Sequence, residues 1–148
     1  MKPPAHIAAS TAVSTFLWFT TKSPALTLGS FGAGFLVDLD HIFDYVREYG
    51  IRLNIPQFFH TFRENLYHRM FLVLHAWEWL VVLVAVSVLC GGNGWLLGIS
   101  IGYAHHLVLD QISNPVDSRG YFLTWRAARG CEVKRIVTRG KWRKKERC

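Results

Sequence analysis

The sequence predicts an all-α protein: a four-helix transmembrane bundle with a metal site near the cytoplasmic ends of its helices, followed by a basic C-terminal tail. Three observations carry that expectation. Hydrophobic residues make up 51% of the 148 and charged ones 18%, and the two classes are segregated along the chain. The apolar residues fall into four runs, residues 7–19, 25–37, 70–90 and 94–112. Histidines and aspartates interrupt those runs at helical spacings, where burial without partners would be costly. The length suits one domain of residues 1–118 with a tail of residues 119–148.

The first helix starts at Pro4 or Ala5, because proline is tolerated in a first turn, and runs to about Thr20. Its small-residue cleavage pattern is poorly formed, so it reads as a retained helix and not as a signal peptide. Ser23 followed by Pro24 marks the start of a second helix, in which GSFGAG at 29–34 would let a neighbour approach closely. That helix is expected to continue through VDLDHIFDYVREYG to Gly50. Residues 51–67 form a polar loop with a short helix around Phe58 to Asn65. A third helix is expected from near Tyr67, the turn GGNG at 91–94 ends it, and a fourth ends before Asn114 and Pro115.

The third and fourth runs have about the length needed to cross a bilayer at 1.5 Å per residue. The first two reach it only if their helices continue into the polar flanks. With four antiparallel spans, Lys22 alone among the 17 lysines and arginines falls in a far-side link. The positive-inside bias then places the chain in the inner (plasma) membrane with both termini cytoplasmic. TRGKWRKKER at 138–147 would meet anionic lipid headgroups through its cations and Trp142, and the same tail accounts for the basic balance without nucleic acid. The three cysteines, at 90, 131 and 148, have no motif spacing and are expected as reduced thiols. Four short helices would also expose apolar surface to a second copy of the chain, making a homo-oligomer a further candidate partner.

In such a bundle His6, the group Asp38, Asp40, His41 and Asp44, the pair His68 and His75, and the group His105, His106 and Asp110 would lie at one end. Asp38 and His41 are three apart, and Asp40–Asp44 and His106–Asp110 four apart, so each pair shares a helix face. Imidazoles and carboxylates so spaced can converge on divalent ions in a bundle core. There are more of them than one tetrahedral site uses, so two ions, or one ion with a catalytic acid or base, are expected. Zinc leads, with manganese, iron and nickel compatible with the same donors. Several residues have local readings: Asp44 could meet Arg47 at the surface, His105 lies about 100° round its helix from His106, and His60 sits in a polar loop.

The order of an early histidine (His6), VDLDH at 37–41, YHR at 67–69, His75 and HHLVLD at 105–110 resembles the YdjM-like family of membrane-bound metal-dependent hydrolases. That family is distantly similar to zinc-dependent phospholipase C and S1/P1 nuclease. Covering His6 to Asp110, the resemblance implies His6, Asp38, Asp40, His41, His68, His75, His106 and Asp110 as the metal and catalytic set. Met70 stands where a glycine commonly follows the His-Arg pair, and LHAWEW at 74–79 replaces the usual Thr-His-Ser, departures that bear on the substrate pocket.

The expected function is therefore a membrane-embedded, metal-dependent hydrolase of a phosphoester bond in a lipid or lipid-linked substrate. Asp40 or Glu78 would orient water or move a proton, and Arg69 would grip a phosphate oxygen. A metal-binding or metal-transporting membrane protein and a structural membrane anchor are the alternatives.

Overall fold

A computed structural model of the chain describes residues 3–51, 54–64 and 66–137. The described residues are all-α, as expected, with only two isolated antiparallel bridges, Arg69 with Glu132 and Val116 with Val137. The helices are α1 (Pro3–Thr21), α2 (Pro24–Leu36), α3 (Asp40–Tyr49), α4 (Ile55–Glu64), α5 (Trp77–Leu89), α6 (Gly94–Ser113), α7 (Leu123–Ala127) and α8 (Val133–Ile136). Short 3-10 turns cover Val37–Leu39 and Ser118–Tyr121. The described chain divides into two compact units, one of residues 3–37 and 77–113, the other of residues 38–76 and 114–137.

The first unit contains α1, α2, α5 and α6. Ser23 caps α2, its hydroxyl accepting the Leu26 N–H, with Pro24 in the first turn. Asn93 does the same for α6, its side-chain oxygen accepting from Trp95 N–H at 2.9 Å. Glycines set how closely α2 and α6 pack: a Cβ on Gly98 would fall 2.4 Å from the Leu26 carbonyl oxygen, and one on Gly102 2.2 Å from that of Ser30. The small-residue stretch in the second apolar run thus has a partner with small residues of its own.

The transmembrane reading is overturned here. No helix among the described residues is both long and apolar enough to cross a membrane. At 13 residues each, α2 and α5 are about 20 Å long, against the roughly 30 Å of a hydrocarbon core. At 19 and 20 residues, α1 and α6 have the length but are interrupted by serine, threonine, histidine and aspartate. The bilayer-spanning bundle, the multi-pass inner-membrane location with cytoplasmic termini, and the lipid substrate and anionic-lipid partners all rested on those spans and fall with them. The apolar runs instead place side chains such as Phe16 (67% exposed), Val81 (70%) and Leu89 (85%) on outer surfaces.

The helix boundaries explain how the run lengths misled. The second predicted helix breaks at the Val37–Leu39 turn, and the chain resumes as a separate helix, α3. The third does not begin at Tyr67. Residues 71–74 send backbone N–H groups to side chains of α3 instead of up a helix: Phe71 and Leu72 to Asp44 Oδ2 at 2.9 and 3.1 Å, Leu74 to Asp40 Oδ2 at 2.8 Å. Helix formation therefore waits until Trp77.

The second unit builds its apolar core from Tyr45, Tyr67, Met70, Leu72, Val133 and Val137, with Phe58 packed against it. Backbone bonds from Met70 N–H to Cys131 O and from Val133 N–H to His68 O, 2.8 and 3.1 Å, tie its two chain segments together. Residues 114–137 are part of this core, whereas the basic run at 138–147 with Trp142, together with Asn65 and Cys148, lies outside the described residues. The predicted short helix around Phe58 is α4, led by Asn54, whose side chain accepts the Gln57 N–H.

Helix α3 is inverted for a surface helix. It buries Asp40, His41, Asp44 and Tyr45 while Phe43 is 59% exposed. Burying a polar face costs free energy unless every group on it finds a partner. A local rule broken in this way marks a functional or strained site.

Candidate metal centre

Within the second unit, Asp38, His41 and His75 bring ligand atoms within 4.8 Å of one another. Asp38 comes from the 3-10 turn, His41 from the first turn of α3, and His75 from the turn before α5. One oxygen of Asp38 lies 3.6 Å from His41 Nε2 and 3.6 Å from His75 Nε2. Those distances exceed a hydrogen bond. Two atoms each about 2.0–2.2 Å from a tetrahedral ion stand roughly 3.4 Å apart, so the spacing is that of donors sharing a cation.

The ring of His75 is oriented from behind. Its Nδ1 lies 3.0 and 3.2 Å from the two oxygens of Asp40, the second being the better aligned hydrogen bond. A carboxylate can only accept, so Nδ1 carries a proton, and in the neutral ring Nε2 presents a lone pair towards Asp38. A cation between those two atoms would satisfy both. His41 is seated by Phe62, whose ring meets it edge-on with centroids 4.2 Å apart.

The turn that carries His75 is held by buried side chains. Leu72 has φ 39°, in the left-handed region that a side chain disfavours, at a cost of about 1–3 kcal/mol. Both of its backbone polar groups are fixed: the N–H by Asp44 and the carbonyl by Arg126 Nη2 at 2.8 Å. Burial pushes the Asp44 carboxyl up to about 6, against the lowering effect of the Leu72 and Phe71 N–H bonds. Burial likewise raises the nearby Cys131 thiol, a free cysteine, as is the exposed Cys90.

Within the first unit, His6 from α1 and His106 and Asp110 from α6 form a second group, again with ligand atoms within 4.8 Å of one another. His6 Nε2 meets Asp110 Oδ1 at 3.0 Å, and His106 Nε2 lies 3.7 Å from Asp110 Oδ2. The two imidazoles stack with centroids 4.2 Å apart. His106 repeats the arrangement of His75: Nδ1–H donates to the Gly34 carbonyl at 2.9 Å, so that in the neutral ring the Nε2 lone pair faces a carboxylate. His6 Nδ1 is buried with no hydrogen bond among the described residues. Nearby, Ser10 Oγ and His105 Nε2 are 3.1 Å apart; burial lowers the His105 pKa, partly offset by its bond to the Ile101 carbonyl.

A His/Asp cluster capable of coordinating a divalent ion is therefore present. Of the residues expected from sequence, His6, Asp38, His41, His75, His106 and Asp110 come together in these groups, and Asp40 stands behind His75. His68 is 92% exposed and paired with Glu48. Arg69 is exposed at its bridge to Glu132, and Glu78 is half-buried in the first turn of α5; among the described residues neither belongs to a group.

Asp44 does not make the surface ion pair expected for it. It is 2% exposed and binds backbone, while the Arg47 guanidinium sits over the Phe71 ring at 4.0 Å. The sequence marked Gly34 only as part of a close-packing stretch and Arg126 not at all, since the contacts of the Gly34 carbonyl and of the Arg126 side chain exist only in the fold.

Comparison with protein-family models, curated proteins and solved structures finds no match. The resemblance to membrane-bound metal-dependent hydrolases is accordingly withdrawn. A short pattern of histidines and aspartates reflects what a divalent ion needs and does not by itself establish ancestry. The membrane-embedded phosphoester hydrolase, and the membrane transporter and anchor set beside it, lose both the family and the spans that supported them.

Proposed function

We propose that the protein is a zinc-dependent hydrolase in which Asp38, His41 and His75 hold the ion, with His6, His106 and Asp110 as a further metal-holding group. The observation that carries this reading is the shared Asp38 oxygen, 3.6 Å from the Nε2 atoms of both His41 and His75. Two nitrogens and a carboxylate oxygen suit zinc better than magnesium or calcium, which prefer oxygen alone. Three protein donors on one ion are also the pattern of sites that keep a position open for water. A divalent ion held there supplies Lewis acidity, bringing the pKa of water from about 15.7 towards 7.

The chain's own residues have definite parts in this reading. Asp38 supplies the negative charge between the imidazoles. Asp40 keeps the proton of His75 on Nδ1, so that Nε2 faces the ion. Phe62 covers one side of His41 and limits the directions from which water reaches it.

Elemental analysis of the full chain purified without added metal tests the first part, with zinc expected at one equivalent or more. Asp38→Ala and His75→Ala should each lower the zinc content by about one equivalent, and wild-type content in both variants would remove the site. Hydrolysis of p-nitrophenyl acetate tests the second part. Turnover is expected that disappears on chelation and returns with zinc; zinc-replete protein no faster than buffer would reject hydrolysis of this ester class and leave the metal site standing.

A further inference from the structure

We propose that Asp40 is a positioning residue for His75, and neither a metal ligand nor a proton shuttle. This rests on the reading of Asp38, His41 and His75 as a metal site and assigns the group that makes it competent. Both carboxylate oxygens of Asp40 face the His75 turn. Oδ2 accepts the Leu74 N–H at 2.8 Å and lies 3.2 Å from His75 Nδ1, and Oδ1 lies 3.0 Å from the same nitrogen. The carboxylate thus fixes His75 twice, through the backbone of the residue before it and through its ring.

The surroundings show that this is a built support. Asp40 and Asp44 are one helical turn apart on α3, both are buried, and each directs Oδ2 to residues 71–75. Arg126 grips the same turn from the Leu72 carbonyl, and His75 N–H closes it by donating to that carbonyl at 2.9 Å. A strained left-handed Leu72 persists only where such contacts over-determine it.

The chemistry depends on the tautomer. With Nδ1–H donating to Asp40, His75 offers Nε2 as a lone pair and gains basicity from the carboxylate behind it. Alanine at position 40 removes the oxygen that accepts from both the Leu74 N–H and Nδ1–H. With no acceptor to hold the proton on Nδ1, the ring reverts towards the Nε2–H form, where the proton blocks coordination.

The test reads the imidazole directly. Long-range proton–nitrogen correlation spectra of the metal-free full chain at pH 8 should show His75 as the Nδ1–H tautomer in wild type and as predominantly Nε2–H in Asp40→Ala. Zinc titration by calorimetry should show affinity at this site about 10–100-fold weaker in the variant, with the remaining zinc stoichiometry unchanged. Wild-type His75 in the Nε2–H form overturns the proposal even if the variant fails to fold. An Asp40→Ala protein that keeps the Nδ1–H tautomer and wild-type affinity does the same. If wild-type protein shows the Nδ1–H tautomer but takes up no zinc, the metal reading fails while the positioning of His75 by Asp40 stands.

Discussion

His6 Nε2 lies 3.0 Å from Asp110 Oδ1 across 104 residues of chain, joining the beginning of α1 to the end of α6 inside one buried site. The same carboxylate faces His106 at 3.7 Å, so His6 and His106 both meet Asp110. Asp110→Ala should remove a buried acceptor and leave two ring nitrogens facing an empty volume. The expected loss, measured by urea denaturation with EDTA present, is about 1–3 kcal/mol. An unchanged midpoint at unchanged slope would show that the pair contributes nothing to folding.

Gly34 supports that group from α2, and the space around it is full. A Cβ there would fall 2.3 Å from Ser10 Oγ and 2.7 Å from the His105 ring. Gly32, on the same helix, would place its Cβ no closer than 3.7 Å to Leu36. Gly34→Ala is therefore expected to destabilise by about 1–3 kcal/mol through overpacking. Gly32→Ala should stabilise by up to about 1 kcal/mol through helix propensity. Thermal melts of the two variants should shift in opposite directions, and equal shifts would contradict the packing.

His68 and His75 separate a surface histidine from a buried one. The sequence spaces them seven apart as though on a common helical face, but the chain is not helical there, and His68 points outward to Glu48. Zinc content should be unchanged in His68→Ala and reduced in His75→Ala. Equal losses in both would return His68 to the site.

The residues of the site were legible because they are expensive. His6, His41, His106 and Asp110 stand among apolar neighbours, and burial without partners would be prohibitive, so their convergence could be expected from cost alone. The capping signal Ser23-Pro24 and the turn at 91–94 were legible because they are local. The length of the helices was not legible. The run FLVLHAWEWL reads as a continuous helix until Asp40 and Asp44, more than 25 residues earlier in the chain, claim the N–H groups of Phe71, Leu72 and Leu74. Hydropathy reports which side chains avoid water; it does not report where a backbone N–H finds its acceptor. The bilayer reading came from equating the two.

Asp44 makes a prediction whose sign runs against the usual acid. Burial raises its carboxyl from the ordinary 3.8 to about 6 in the folded chain. Between those values the folded state binds more protons than the unfolded state, so stability falls as pH rises through the interval and the ionised carboxylate is the less favourable folded form. Both backbone N–H groups donate to the same oxygen, Oδ2, and an amide oxygen could accept them equally well. Asp44→Asn should therefore keep the turn and escape the cost of burying a charge. Its melting temperature at pH 8 is expected to equal or exceed that of wild type, with the advantage shrinking as the pH falls through 6 towards 4, where Asp44 in wild type becomes neutral as well. A melting series in EDTA at half-unit pH steps decides it. A variant less stable than wild type at pH 8 and level with it at pH 4 would mean that the charge on Asp44 strengthens its two hydrogen bonds by more than burial costs it.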